Sequence, residues 1–226
     1  MRPLDELLTR NPVFARFGAA GRAQLAQRAL RREYAKDEAM AQHGQVWPYL
    51  LLVAAGSIAG CKESREGRSL IVMTLEPGDT FWGLAFFREE APMPVRLEAR
   101  APSTLYLWSR DLLEPLLLQN APALWELCRL QAGRMEWASG MLEGLAFLPV
   151  AGRLARLLLS RFERAGSDRL PRDLTLDEMA AWAGTTREMA CRTLYRLADQ
   201  GLIGLSRNEL TLQDKAGLRQ MAERAL

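Results

Sequence analysis

The spacing of apolar side chains changes twice along the chain. Residues 4–31 carry them at helical intervals and predict short helices, one of them starting at Pro12. From about residue 33 to 110 the pattern becomes short apolar runs, Tyr49–Val53, Leu70–Leu75 and Leu105–Trp108. Turn residues bound these runs at His43-Gly44, Ala55-Gly56, Glu66-Gly67 and Glu76-Pro77-Gly78-Asp79. Strands this short and this evenly spaced predict a sandwich, a jelly roll or a roll closed on itself.

The second change comes near residue 111. From Pro122 to Phe147 apolar residues recur in steps of mostly three and four, which predicts one long helix with a single seam. Leu124, Leu127, Met135, Ala138, Leu142 and Leu145 define that seam. It can pack on the sheet of its own chain or against a second copy. A span of about 39 Å exceeds what a compact roll covers, which favours a dimer. Three more helical patterns follow Pro149, at Val150–Phe162, Thr175–Ala183 and Thr186–Gln200. Two short strand patterns, Leu202–Leu205 and Leu210–Leu212, flank a polar turn of Ser206, Arg207 and Asn208. That succession predicts a helix-turn-helix with a β-wing. Gln213–Leu226 predicts a further helix to which no role attaches.

Composition narrows the reading. With 226 residues and 49% hydrophobic content the chain can build one large or two small cores. The net charge of +3 is no gross nucleic-acid signature, but the excess lies from residue 149 onward, where 13 basic residues face 10 acidic ones. DNA binding must therefore rest on local placement. No apolar window is long enough to cross a bilayer, and MRPLDELLTR lacks the apolar core of a signal peptide. Cytoplasm is the expected location. The three cysteines, Cys61, Cys128 and Cys191, give neither a zinc spacing nor a disulfide framework.

Thr175-Leu-Asp-Glu178 has capping-box spacing, Gly184 suits a tight turn, and Thr185 or Thr186 can cap the next helix. That helix opens with Arg187 and Glu188 and carries Arg192. In a helix-turn-helix the first residues of the second helix touch base edges. Arginine can fork onto guanine O6 and N7, and glutamate can accept from cytosine N4. The plainer reading stays open here. Thr185-x-x-Glu188 is itself a capping box, and both arginines can be solvated charges.

Three segments resemble the CRP/FNR family of bacterial transcription regulators. LAFLPVAGRLARLLL (145–159) resembles the hinge and first DNA-domain helix. TLDEMAAWAGTTREMACRTLYRLADQGLI (175–203) resembles the helix-turn-helix, and LEPGDTFWGLAFF (75–87) the sensory roll segment. The resemblance runs collinearly over essentially the whole chain and is strongest at the C-terminal end. It implies an α+β fold: a cyclic-nucleotide-binding-type β-roll (1–121), a long dimerisation helix with its hinge (122–148) and a winged helix-turn-helix (149–226). It implies a homodimer, double-stranded DNA as ligand and RNA polymerase as partner, with Arg164–Arg172 a candidate contact by location only. By motif, Arg187, Glu188 and Arg192 fall on base-reading positions, and Thr175 and Thr186 on phosphate-contacting ones. The implied site is a palindrome close to TGTGA-N6-TCACA.

The sensory segment departs from the nucleotide-binding pattern. Where that pattern has Gly-Glu-Leu and then Arg-Ser, this chain has Gly83-Leu84-Ala85 and Met93-Pro94. A cyclic phosphate buried without a cation and a hydroxyl is poorly solvated. Arg96 could substitute if the loop shifts. The Thr-Ser pair of the family's long helix becomes Ala138-Ser139. Three cysteines do not suffice for a four-cysteine iron–sulfur cluster. His43, the single histidine, reads as an exposed turn residue rather than a haem ligand. Cys128 or Cys191 could form a thiol switch, although buried structural cysteines are the more common case. Phe81, Trp82, Phe86 and Phe87 read as core rather than as a ligand box.

The expectation is thus a DNA-binding regulator and not an enzyme, with no cofactor and no cyclic-AMP requirement. It is either effector-independent or answers a non-nucleotide effector. The alternative is a small-molecule sensor or scaffold whose helix-turn-helix serves protein contact.

Overall fold

The structure, a computed structural model, describes residues 4–223. It divides into two compact units. One takes the described residues up to Lys62 together with Val72–Met135. The other takes Glu63–Ile71 and the described residues from Glu136 onward.

The first unit opens with α1 (Leu4–Arg10), a single 3-10 turn (Phe14–Arg16) and α2 (Ala19–Gln27). Pro12 therefore starts no full helix, which corrects the expectation. The Asn11 side chain instead accepts from the Val13 and Phe14 N–H groups and closes a local turn. Eight strands follow along the chain: β1 (Leu30–Tyr34), β2 (Ala39–Ala41), β3 (Tyr49–Ala55), β4 (Ile58–Glu63), β5 (Ser69–Leu75), β6 (Thr80–Trp82), β7 (Arg96–Ala99) and β8 (Ser103–Ser109), with Glu63 of β4 and Ser69–Ile71 of β5 counted in the second unit. They form two four-stranded sheets, ordered β1-β8-β3-β6 and β2-β7-β4-β5.

Why β3 and β8 read as near-continuous apolar runs is clear from the packing. Successive side chains of a strand point to opposite faces. Leu51 and Val53, with Leu105 and Leu107, enter the roll interior beside Trp47, Phe81 and Met93. Leu50, Leu52 and Ala54, with Trp108, enter a second core on the outer face of the same sheet. That outer core is roofed by Leu7, Leu8, Phe14 and Leu25 from the N-terminal helices. Trp108 is fully buried, stacks at 4.9 Å from Phe14, and donates its indole N–H to the Leu25 carbonyl.

After β8 come α3 (Arg110–Leu118), which the apolar spacing had not indicated, and α4 (Ala121–Phe147), the long helix. The structure divides the expected seam. Leu127 is buried and Leu124 and Leu130 partly buried against the outer core of the roll. Met135 and Leu142 are 74% and 68% exposed, and Ala138 is exposed as well. The sequence had offered Leu124 and Leu127 to a partner; within the chain they already pack on the roll.

The second unit contains α5 (Val150–Ala165), β9 (Arg169–Pro171), α6 (Leu176–Ala183), α7 (Arg187–Asp199), β10 (Ile203–Leu205), β11 (Glu209–Leu212) and α8 (Lys215–Glu223). One face of α5, with Leu154, Ala155, Leu158, Leu159 and Phe162, meets Met179, Ala183, Ala190, Leu194 and Leu197 of the two following helices. α8 adds Leu218 and Ala222 to this core. The expected C-terminal helix is thus a packed element, and residues 224–226 lie outside the described ones. The wing has three strands, ordered β10-β11-β9, where the sequence predicted two.

Phe14→Ala should destabilise the protein by about 3–5 kcal/mol, because its fully buried ring packs on Trp108 in the outer core and its removal leaves a cavity there. Urea-induced unfolding measures this.

Candidate nucleic-acid interface

Local capping fixes the helix-turn-helix. The Thr175 hydroxyl accepts from the Glu178 N–H at 3.2 Å, and the Glu178 carboxylate accepts from the Thr175 N–H at 2.6 Å. Both arms of the capping box anticipated from the sequence are therefore made. α6 ends at Gly184, in the left-handed region at φ 58°, where its N–H reaches back to the Ala180 carbonyl. A β-carbon there would also lie 2.8 Å from a Leu145 methyl. Leu145, another expected seam residue, thus packs at the turn of its own chain.

The cap of α7 removes the capping-box reading of Glu188. Thr186 is the N-cap, and its hydroxyl accepts from the Met189 N–H at 3.3 Å. Glu188 then occupies the second helical position, not the third that a capping box from Thr185 would require. Arg187, Glu188 and Arg192 are all exposed, while Ala190, Leu194 and Leu197 on the opposite side are fully buried. Tyr195, 55% exposed, continues the outer face one turn beyond Arg192. Sequence reading missed it because a tyrosine among leucines looks like core.

Arg187 lies 3.6 Å from Asp177 of α6, both side chains well exposed. An exposed pair of this kind is weak and easily exchanged for a stronger partner. The two threonines differ. The Thr175 hydroxyl already donates to the Glu178 carboxylate, whereas Thr186 only accepts, so its proton is available to a phosphate. In the wing, the Ser206 hydroxyl and the Glu209 backbone close the turn that presents Arg207 and Asn208 to solvent. Arg172 steadies it by donating to the Ser206 carbonyl.

The roll residues singled out from the sequence fall differently. Gly83 and Met93 come together. A β-carbon on Gly83 would lie 2.2 Å from the Trp47 carbonyl oxygen and 3.1 Å from the Met93 sulfur. Met93 is buried, Pro94 half-buried, and Leu84 is 40% exposed. Arg96 pairs with Glu98, a buried carboxylate that also accepts from Arg100 at 3.0 Å. Its role as a replacement phosphate ligand is thereby contested from within β7. Ser139 is exposed on α4, and His43 is exposed beside Gly44, as a turn histidine should be. Cys61 is buried, but Cys128 is exposed and Cys191 half-buried, so burial does not describe all three.

One residue of this region escaped the sequence reading. Arg134 of α4 places its guanidinium 3.9 Å from the centre of the Trp82 ring and 5.5 Å from that of Phe81, and donates to the Thr80 carbonyl. Burial pulls its pKa down to about 10, with Asp79 acting in the opposite sense. It remains cationic at neutral pH. The signal was a lone arginine one turn beyond Leu130, on the buried side of the helix.

Comparison with known proteins agrees with this geometry. The family model for the cyclic nucleotide-binding domain matches residues 31–120, and that for the Crp-like helix-turn-helix domain matches residues 152–221. The chain belongs to the CRP/FNR family. As a CRP/FNR protein it is a transcription regulator with a DNA-binding helix-turn-helix. It is similar to the CRP-like cAMP-activated global transcriptional regulator of Mycobacterium tuberculosis, 25% identical over 97% of this chain and 100% of that protein. The CRP/FNR fold is shared with FixK2 of Bradyrhizobium japonicum at a TM-score of 0.74 and 23% identity, over 88% of this chain and 99% of that one. It is shared too with the c-di-GMP responsive regulator CLP of Xanthomonas campestris, at a TM-score of 0.74 and 24% identity, over 84% and 98%. These CRP/FNR relatives are regulators, not enzymes, and no helix among the described residues of this chain is long and apolar enough to cross a membrane.

Gly184→Ala should cost about 1–2 kcal/mol through the left-handed backbone alone, with added strain against Leu145. Faster amide hydrogen exchange at the end of α6 and the start of α7 is the expected readout.

Proposed function

We propose that the protein is a homodimeric, sequence-specific regulator that reads a TGTGA-N6-TCACA-like palindrome through Arg187, Glu188 and Arg192, without a cyclic-AMP requirement. The observation that carries this is the front of α7. Glu188 is released from capping by Thr186, and it stands exposed between two exposed arginines on a helix whose back is fully packed. Thr186 supplies a phosphate contact, Ser206, Arg207 and Asn208 a wing contact. Thr175 makes its own only by giving up its bond to Glu178. The setting is cytoplasmic, RNA polymerase is the protein partner, and no cofactor is needed.

Two features support independence from cyclic AMP. Trp47 and Met93 pack directly at Gly83, and Arg96 is held by Glu98. The name of the mycobacterial relative, cAMP-activated, points the other way, while that of the Xanthomonas protein records a different nucleotide. The effector is therefore not a property that passes along the family with the fold. A non-nucleotide effector remains compatible with the same substitutions.

Dimerisation draws support from the exposed half of α4. Cys128, Met135 and Leu142 are exposed and seven residues apart, the interval at which a helix returns to one seam. A parallel two-fold pairing places each Cys128 opposite its mate.

Two outcomes are expected. Arg192→Ala should weaken binding to the palindrome by about 1–3 kcal/mol and flatten the preference at one base pair of each half-site. Titrations against singly substituted duplexes read this, and unchanged affinity for all of them would reject the base-reading assignment. Mild thiol oxidation should yield a covalent dimer on a non-reducing gel that Cys128→Ser abolishes. Failure to cross-link the wild type would argue against a parallel, in-register seam.

A further inference from the structure

Arg153 stands in the first turn of α5, between the ends of two other helices. Its Nε donates to the Ala183 carbonyl at 2.6 Å, and its Nη1 donates to the Leu148 carbonyl at 2.6 Å. Ala183 is the last residue of α6, next to the Gly184 turn, and Leu148 directly follows α4. The final carbonyls of a helix lack intrahelical donors and carry partial negative charge. One guanidinium thus serves two such ends. Its planar fork can hold two carbonyls in fixed directions, which the point charge of lysine does less well. Burial lowers its pKa, yet the group stays charged.

The same junction is braced by close approaches. A β-carbon at Gly144 of α4 would lie 3.4 Å from the Arg156 guanidinium. One at Gly152 of α5 would lie 3.6 Å from the Leu148 side chain. The Arg156 Nε in turn donates to the Ala222 carbonyl of α8. α6 and α7 share one core and one tight turn, so whatever fixes the end of α6 also aims α7.

We infer that Arg153 is a positioning residue that sets the angle between the reading helix and the end of α4, and through it the half-site spacing the dimer accepts. The inference rests on the proposed DNA-reading dimer. If two α4 helices form the seam, the separation and tilt of the two reading helices follow from how each is tied to its α4 end. Adding one base pair to the spacer rotates the second half-site by about 35° around the duplex. A rigid tie rejects that change, and a loose one tolerates it.

The test uses full-length protein and duplexes with spacers of five, six, seven and eight base pairs, plus six-spacer duplexes carrying a substituted half-site. Wild type should prefer one spacer by roughly tenfold and lose a similar factor on half-site substitution. Arg153→Met, which keeps the apolar stem, should retain the half-site factor but bind neighbouring spacers within about threefold of each other. Arg153→Lys should fall between the two, and it remains informative if Arg153→Met fails to fold. A purely structural residue would lower affinity for every spacer alike. A wild-type spacer profile in folded Arg153→Met, or in Arg153→Lys, overturns the inference. Absence of half-site selectivity in the wild type overturns the DNA-reading itself, a distinguishable result.

Discussion

The back of α7 is packed, and its front stays exposed. Base reading needs polar side chains that are exposed and unspent, yet held in place. Here Ala190, Leu194 and Leu197 anchor the helix in the core of the winged unit, and Thr186 ends it without drawing on Glu188. Arg187, Glu188 and Arg192, the residues proposed to read bases, are then left exposed, with the weak pairing of Arg187 with Asp177 beside them. α5 supplies the apolar floor, Gly184 the turn, and the three-stranded wing a second edge beside the helix.

Arginine does a second kind of work in this chain. Several guanidiniums among the described residues are turned onto carbonyls or rings of the fold. Arg134 lies against Trp82 and the Thr80 carbonyl, Arg153 joins two helix ends, and Arg156 holds the end of α8. Each satisfies acceptors that helix termini or strand ends leave open. These are fixed contacts within the fold, unlike the exposed arginines of α7 and the wing.

The helix-turn-helix was legible because its signals are local. Thr175 to Glu178, Gly184 and the apolar interval of α7 each act within a few residues, and each is found where the sequence put it. The long helix was legible in extent, but not in how its seam is shared. Leu124 and Leu127 carry the same spacing as Met135 and Leu142, and spacing alone does not say which surface arrives to cover them. α3 and β9 were missed for a related reason. Pro115 interrupts the helical pattern of α3, and β9 offers one buried leucine in three residues. The inward arginines were invisible because a charged residue declares nothing about a carbonyl many positions away.

The most direct test is a fluorescence-anisotropy titration of the full-length protein onto a TGTGA-N6-TCACA duplex at one fixed salt concentration. It is run with no additive, with cyclic AMP, and against a scrambled duplex. The account predicts selective binding without additive and no further gain from cyclic AMP. Selective binding that appears only with cyclic AMP would contradict it, because the packing of Trp47 and Met93 at Gly83 would then have to open for a nucleotide.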